Sequence, residues 1–125
     1  MIAKKGITIM VKSLVPETKL AKVDLRLIRK VTQQIIDAFR PQKIVLFGSY
    51  ASGHPEEDSD VDLLVVMESK KRPVERAIEV TKSLRFYPFP MDILVRTPWE
   101  IRQRIQMGDP FYQEIMKRGK ILYPS

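Results

Sequence analysis

"LFGSYASGHPEEDSDVDLLVV", residues 46–66, carries five acidic side chains in seven positions: Glu56, Glu57, Asp58, Asp60 and Asp62. They make up a third of the 15 carboxylates in a 125-residue chain that is otherwise basic, with 22 Lys and Arg and a net charge of +7. The stretch reads as strand, break, turn, strand. "KIVLF" (43–47) is a short apolar run that stops at Gly48. "VDLLVVM" (61–67) is a second strand, apolar on both faces after Asp62 and so expected in the middle of a sheet. Asp60 and Asp62 stand two apart at its head, so their side chains leave the same face about 6–7 Å from one another.

Outward from this stretch, helix and strand patterns alternate. From about Glu17 to Arg40, the residues Val23, Leu27, Val31, Ile35 and Phe39 recur every four positions and mark one buried helical stripe, ended by Pro41. Residues 72–86 read as a helix with Pro73 near its start and Val74, Ala77, Ile78, Thr81 and Leu84 facing inward. "MDILV" (91–95) is a third strand, with Asp92 at its mouth. "TPWE" (97–100) joins an N-cap Thr, an N1 Pro and an N3 Glu in a capping box. "GDPF" (108–111) repeats the device with Asp109 and Pro110, and Gly119 closes the last helix before "ILY". Trp99, Phe111, Ile115 and Met116 on these two helices are expected in the core, any exposed part of them being a partner surface. Near the start, Ile7, Ile9 and Val11 alternate like a short strand. The order predicts an α/β (α+β) domain, a small mixed sheet with helices packed on it.

The bulk properties bound the function. A chain of this length is one domain. No apolar stretch approaches the ~20 residues of a membrane span, and the first residues do not read as a signal peptide. The absence of Cys excludes disulfides and thiolate metal sites, and together these features point to the cytoplasm. Setting aside the five clustered acids leaves 22 basic residues against 10 acidic ones. A basic body around an acidic knot suits a polyanionic ligand that arrives with divalent cations. The alternatives are a solvated basic surface or a nonspecific nucleic-acid patch. The second lacks any aromatic–basic interleaving or recognisable binding motif.

If the strands of Asp62 and Asp92 are neighbours, Asp60, Asp62 and Asp92 converge at one edge, where mutual repulsion requires compensating cations. Oxygen-only ligation, without His or Cys, selects Mg²⁺ or Mn²⁺. The structural alternative is that Asp60 caps a turn while Asp62 or Asp92 pairs with an Arg. Gly48 follows directly on the first strand, where a residue without Cβ lets a phosphate approach the backbone. The Ser49 hydroxyl and the free amides of the turn it opens suit a terminal phosphate. His54 lies between Gly53 and Pro55 and reads as an exposed loop residue. Arg72, Arg76, Lys82 and Arg85 are basic candidates for the same ligand, with nothing in the sequence to say which faces it.

"GSYASGHPEEDSDVD", Gly-Ser, ten residues, then Asp-x-Asp, resembles the signature of the DNA polymerase β-like nucleotidyltransferases. With "SDVDLLVV", "MDILV" and the tail "GDPFYQEIMKRGKILY", the chain resembles their minimal nucleotidyltransferase (MNT) branch over about residues 25–123. Many relatives carry basic residues in "GSRARG", where Tyr50 and Ser52 stand here; "GSYA" is similar to antitoxin-type members of HEPN–MNT pairs. The resemblance implies a polymerase β-like nucleotidyltransferase domain over 21–125, behind an extension (1–20) that is either flexible or partner-binding. It implies that Asp60, Asp62 and Asp92 are catalytic and hold two Mg²⁺ ions (or Mn²⁺), and that Gly48 and Ser49 bind the β,γ-phosphates of ATP or another NTP. It further implies transfer of a nucleoside monophosphate to a hydroxyl, the best candidate being a tyrosine of a HEPN-type ribonuclease toxin. Two other readings stay open: a non-catalytic module that neutralises a partner by docking, and a nucleic-acid-binding protein.

Overall fold

The structure is a computed structural model that describes residues 9–10, 24–55, 59–85, 87 and 89–124. In chain order its elements are β1 (Ile9–Met10), α1 (Leu25–Phe39), β2 (Lys43–Phe47), α2 (Ser49–Ser52), β3 (Val61–Val66), α3 (Pro73–Ser83), β4 (Met91–Arg96), α4 (Pro98–Gln106), α5 (Pro110–Arg118) and β5 (Lys120–Tyr123). The strands form one five-stranded mixed sheet in the order β1-β4-β3-β2-β5. Among the described strands only the β3–β4 pair is parallel; α3 makes the crossover between them. β3 is the central strand and all six of its residues are buried, as its double-sided apolar pattern predicts. Ile9 and Met10 pair antiparallel with Ile93 and Asp92 at the β4 edge. The expected helical turns before Leu25, and the alternation at Ile7 and Val11, lie outside the described residues.

Each face of the sheet has its own apolar layer. Ile44, Leu46, Val61, Leu63, Val65, Ile93 and Val95 point to the face covered by α1 and α3. Val45, Phe47, Leu64, Val66 and Leu94 point to the other, covered by α4 and α5 through Ile101, Tyr112 and Ile115. Helix starts follow local chemistry. Asp24 Oδ1 accepts from the Leu27 amide at 3.0 Å. Thr97 and Glu100 close the expected capping box at 3.1 and 2.8 Å. Asp109 Oδ1 accepts from the Phe111 amide at 2.9 Å. No described helix is long and apolar enough to cross a membrane.

Two expectations about facing change. On α3 the buried row is Arg76, Ala77 and Val80, with Leu84 at the helix end, while Ile78 is exposed. The helix is turned because Arg76 is drawn inward: its guanidinium donates to Glu100 Oε1 at 2.7 Å and its Nε to the Lys71 carbonyl at 2.7 Å. On the C-terminal helices Ile115 is core, but Trp99 is 60% exposed and Met116 also faces outward. Trp99 lies in the first turn of α4, whose buried residue is Ile101. Gly119 ends α5 without the positive φ expected of a terminating glycine: its φ is −67°. It is required for space instead, since a Cβ there would stand 2.5 Å from the Ile115 carbonyl oxygen and from Val45 Cγ1.

Candidate active site

The C-terminal end of β2 and the N-terminal ends of β3 and β4 meet at one end of the sheet. There Phe47 pairs with Asp62, and Asp62 with Asp92. The two aspartates therefore project side by side from the face that also carries Leu64 and Leu94, beyond the part that α4 and α5 cover. Both are 4% exposed. Asp60 lies one residue ahead of β3, half-buried, with its Oδ1 fully enclosed.

Gly48 is built into this site. Its φ of 77° and ψ of −154° belong to a region that is essentially glycine's alone. A Cβ there would collide with Asp62 Oδ2. The same residue caps α2, and its carbonyl accepts from the Ala51 and Ser52 amides, both at 3.1 Å. That leaves the Ser49 and Tyr50 amides without an acceptor inside the turn. The β2–α2 junction thus presents backbone donors next to a carboxylate row, a combination that suits a phosphate bridged to cations.

Tyr50, the second residue of this turn, is half-buried against the α1/α3 layer. Burial, and next the negative charge of Asp60, push its hydroxyl above the ordinary tyrosine range. It places a neutral hydroxyl beside Asp60. His54 is exposed, its Nδ1 2.9 Å from the Ser52 carbonyl oxygen, as its loop position implies. Arg76 is 5% exposed at the far end of β4, with Nη1 3.4 Å from the Val95 carbonyl oxygen, and serves the fold. Arg72, at the start of α3, pairs with Glu75 at 3.2 Å. Lys82 and Arg85 lie at the end of α3 that leads back to the site end of β4.

The donor set is all oxygen, which fits a hard divalent cation. Among the described residues, no three His, Cys, Asp or Glu side chains already stand in metal-holding geometry. A cleft of about 650 Å³ adjoins the site on the β2 side, between Gly48, Ser52 and the face of α5 that bears Phe111, Ile115 and Arg118. Its walls come from segments some 60 residues apart, so no local sequence signal announces it.

The family described as Nucleotidyltransferase domain matches residues 25–122. The chain belongs to that family. A Methanocaldococcus jannaschii protein called "Putative protein adenylyltransferase MJ0604" is 32% identical over 85 residues, 67% of this chain and 80% of the relative. A second protein of that organism, called "Putative protein adenylyltransferase MJ1379", is 36% identical over 47 residues, 38% of this chain and 47% of the relative. A Sulfolobus solfataricus crystal structure at 1.40 Å, described as a "putative nucleotidyltransferase", shares the fold with a TM-score of 0.51. It is 23% identical, over 63% of this chain and 71% of that one. A nucleotidyltransferase acts on a nucleoside triphosphate, and the matched span contains the Gly48–Ser49 turn and all three candidate aspartates.

Proposed function

We propose that this nucleotidyltransferase domain transfers AMP from ATP, with Mg²⁺, to a tyrosine hydroxyl of a HEPN-type ribonuclease in the cytoplasm and so acts as its antitoxin. One observation carries the reading: Gly48, just past the end of β2, lies against Asp62 at the head of β3, and Asp62 pairs with Asp92 at the head of β4. A protein acceptor is supported by what the two archaeal relatives are called. The tyrosine and the HEPN partner rest on the resemblance of "GSYASGHPEEDSDVD". In the same reading, residues 1–20 extend the transferase domain of 21–125.

Asp60, Asp62 and Asp92 would hold two Mg²⁺ ions, with Mn²⁺ as a substitute. When bound, the ions supply charge neutralisation and polarise the α-phosphate for in-line displacement. Gly48, Ser49 and the first amides of α2 orient the β,γ-phosphates, so the leaving pyrophosphate faces β2. The acceptor hydroxyl then enters from the opposite side, over β4, where Asp92 is the carboxylate that orients it. The tyrosine hydroxyl gives up its proton to solvent, its oxygen bonds to the α-phosphorus, and the α-phosphorus bond to the bridging oxygen breaks to release pyrophosphate.

Calorimetric titration of MgATP into the wild type and into Asp60→Ala/Asp62→Ala tests the site, and α-³²P-ATP labelling of a HEPN partner tests the acceptor. Mg²⁺-dependent binding that the variant lacks, with label on a partner tyrosine, supports the proposal. Silencing of the ribonuclease without label would instead favour a docking antitoxin.

A further inference from the structure

The turn that follows Gly48 bears no cation: α2 is Ser-Tyr-Ala-Ser. A triphosphate held there by amides and one hydroxyl would still present its terminal charge to something. The wall opposite the turn supplies it. β5 pairs with β2 through Val45↔Ile121 and Leu46↔Lys120. Lys120 opens β5 directly after α5 and its cap Gly119, so the end of that helix lies beside the end of β2. Gly119 has no room for a Cβ between Ile115 and Val45, so the end of α5 is pressed onto β2 and Arg118 is held at this level. Arg118 lines the same cleft as Gly48 and Ser52, and among the described residues it is the only cation that does.

We infer that Arg118 is the phosphate-binding cation of this site, gripping the terminal phosphate of the nucleotide across the cleft from Gly48. The inference rests on the nucleotide reading given above. Neighbouring strands lie about 4.8 Å apart, so a row from the end of β5 across β2 and β3 to β4 spans about 15 Å. Arg118, with Glu114 beside it on the same cleft wall, stands at one end of that row and the aspartates at the other, which matches a nucleotide whose outer phosphate needs a cation and whose cation-bridged phosphates need carboxylates. A guanidinium suits the outer phosphate because it can donate two parallel hydrogen bonds. Arg118 is available for it. Its present partner is Glu114, at 2.9 Å on the same helix, and both side chains are more than half exposed, so the pair holds it weakly.

The test is titration calorimetry of MgATP and MgAMP into the full chain and into Arg118→Ala, Arg118→Lys and Arg104→Ala, at one ionic strength. Arg104 lies on α4 near Asp109 and serves as the charge control. Loss of one charge-assisted contact predicts at least about tenfold weaker ATP binding in Arg118→Ala, partial recovery in Arg118→Lys, and unchanged AMP binding. Arg104→Ala should stay within about twofold for both ligands. Wild-type ATP affinity in Arg118→Ala overturns the inference and leaves the nucleotide site standing, and so does an equal loss in Arg104→Ala. A wild-type protein that binds no MgATP overturns both together.

Discussion

Asp62 and Asp92 are direct neighbours across the parallel β3–β4 pair, and each is 4% exposed. Two charged carboxylates side by side in a shielded place repel each other, and a bound divalent cation would offset that repulsion. Asp62→Asn should therefore melt no lower than the wild type in EDTA. Added Mg²⁺ should raise the wild-type melting temperature and leave the variant unmoved. Transfer activity should fall on the order of a thousandfold, the scale of losing one preorganised electrostatic group. Melting curves with and without Mg²⁺ decide it: equal Mg²⁺ stabilisation of both proteins would remove Asp62 from the cation site.

Gly48→Ala should damage the protein twice over. The backbone conformation is one an L residue rarely adopts, which costs about 1–3 kcal/mol, and the new methyl displaces Asp62 Oδ2. Denaturant unfolding should show that loss, and the remaining folded protein should still be inactive. Gly53→Ala is the comparison: its φ is 82° but no atom lies within 4 Å of the added carbon, so it should lose stability alone.

At the other end of the sheet, the Arg76–Glu100 pair predicts an acid dependence. Burial pushes the Glu100 carboxyl up, but the Arg76 hydrogen bond, the Thr97 amide and the charges of Arg76 and Arg96 outweigh it, so Glu100 titrates below its ordinary value. A carboxyl depressed in the folded state contributes its stability above the unfolded pKa of about 4.3 and loses it as pH falls through the folded value. Glu100→Gln keeps the capping box but removes the charge that faces the buried Arg76 guanidinium, at a cost of about 2 kcal/mol near neutrality. Its deficit against the wild type should be full above about pH 5 and shrink in more acid solution. A deficit that stays constant down the acid limb would show that packing, not charge, makes the difference.

Gly119→Ala should be harmful even though its φ of −67° suits any residue. The added methyl meets a carbonyl oxygen and a core valine methyl at 2.5 Å, so α5 must back away from β2. Overpacking of this kind costs about 1–3 kcal/mol. Thermal melting and nucleotide titration should both register the change, because the cleft beside Gly48 widens with it.

Much of this architecture is legible in the chain because single residues dictate it. Pro98 and Pro110, each behind a capping side chain, mark two helix starts, and the all-apolar run after Asp62 marks a central strand. The candidate site stands out for the same reason: Gly48 and the paired aspartates lie at strand ends, where the alternation of side chains stops. The rotation of α3 is not, because it depends on Arg76 finding Glu100 some 24 positions away. Nor is the exposure of Trp99, since a capping box fixes where a helix begins but not which side it turns to water. The cleft under α5 depends on β5 pairing back to β2, a long-range register that no short window contains.

β3 has a strand on each side and no residue open to solvent, so its amides exchange with water only when the whole domain opens. α2 is a single turn with no fully buried residue, and it can open at little cost. The two halves of the pocket therefore differ in stiffness. In the proposed reading, the spacing of Asp62 and Asp92 is set by a hydrogen-bond ladder that would not stretch to suit a larger ion, while the turn at Ser49 would adjust to ligands of different length. Tolerance in this protein should thus lie toward the phosphate tail, and discrimination toward the metal.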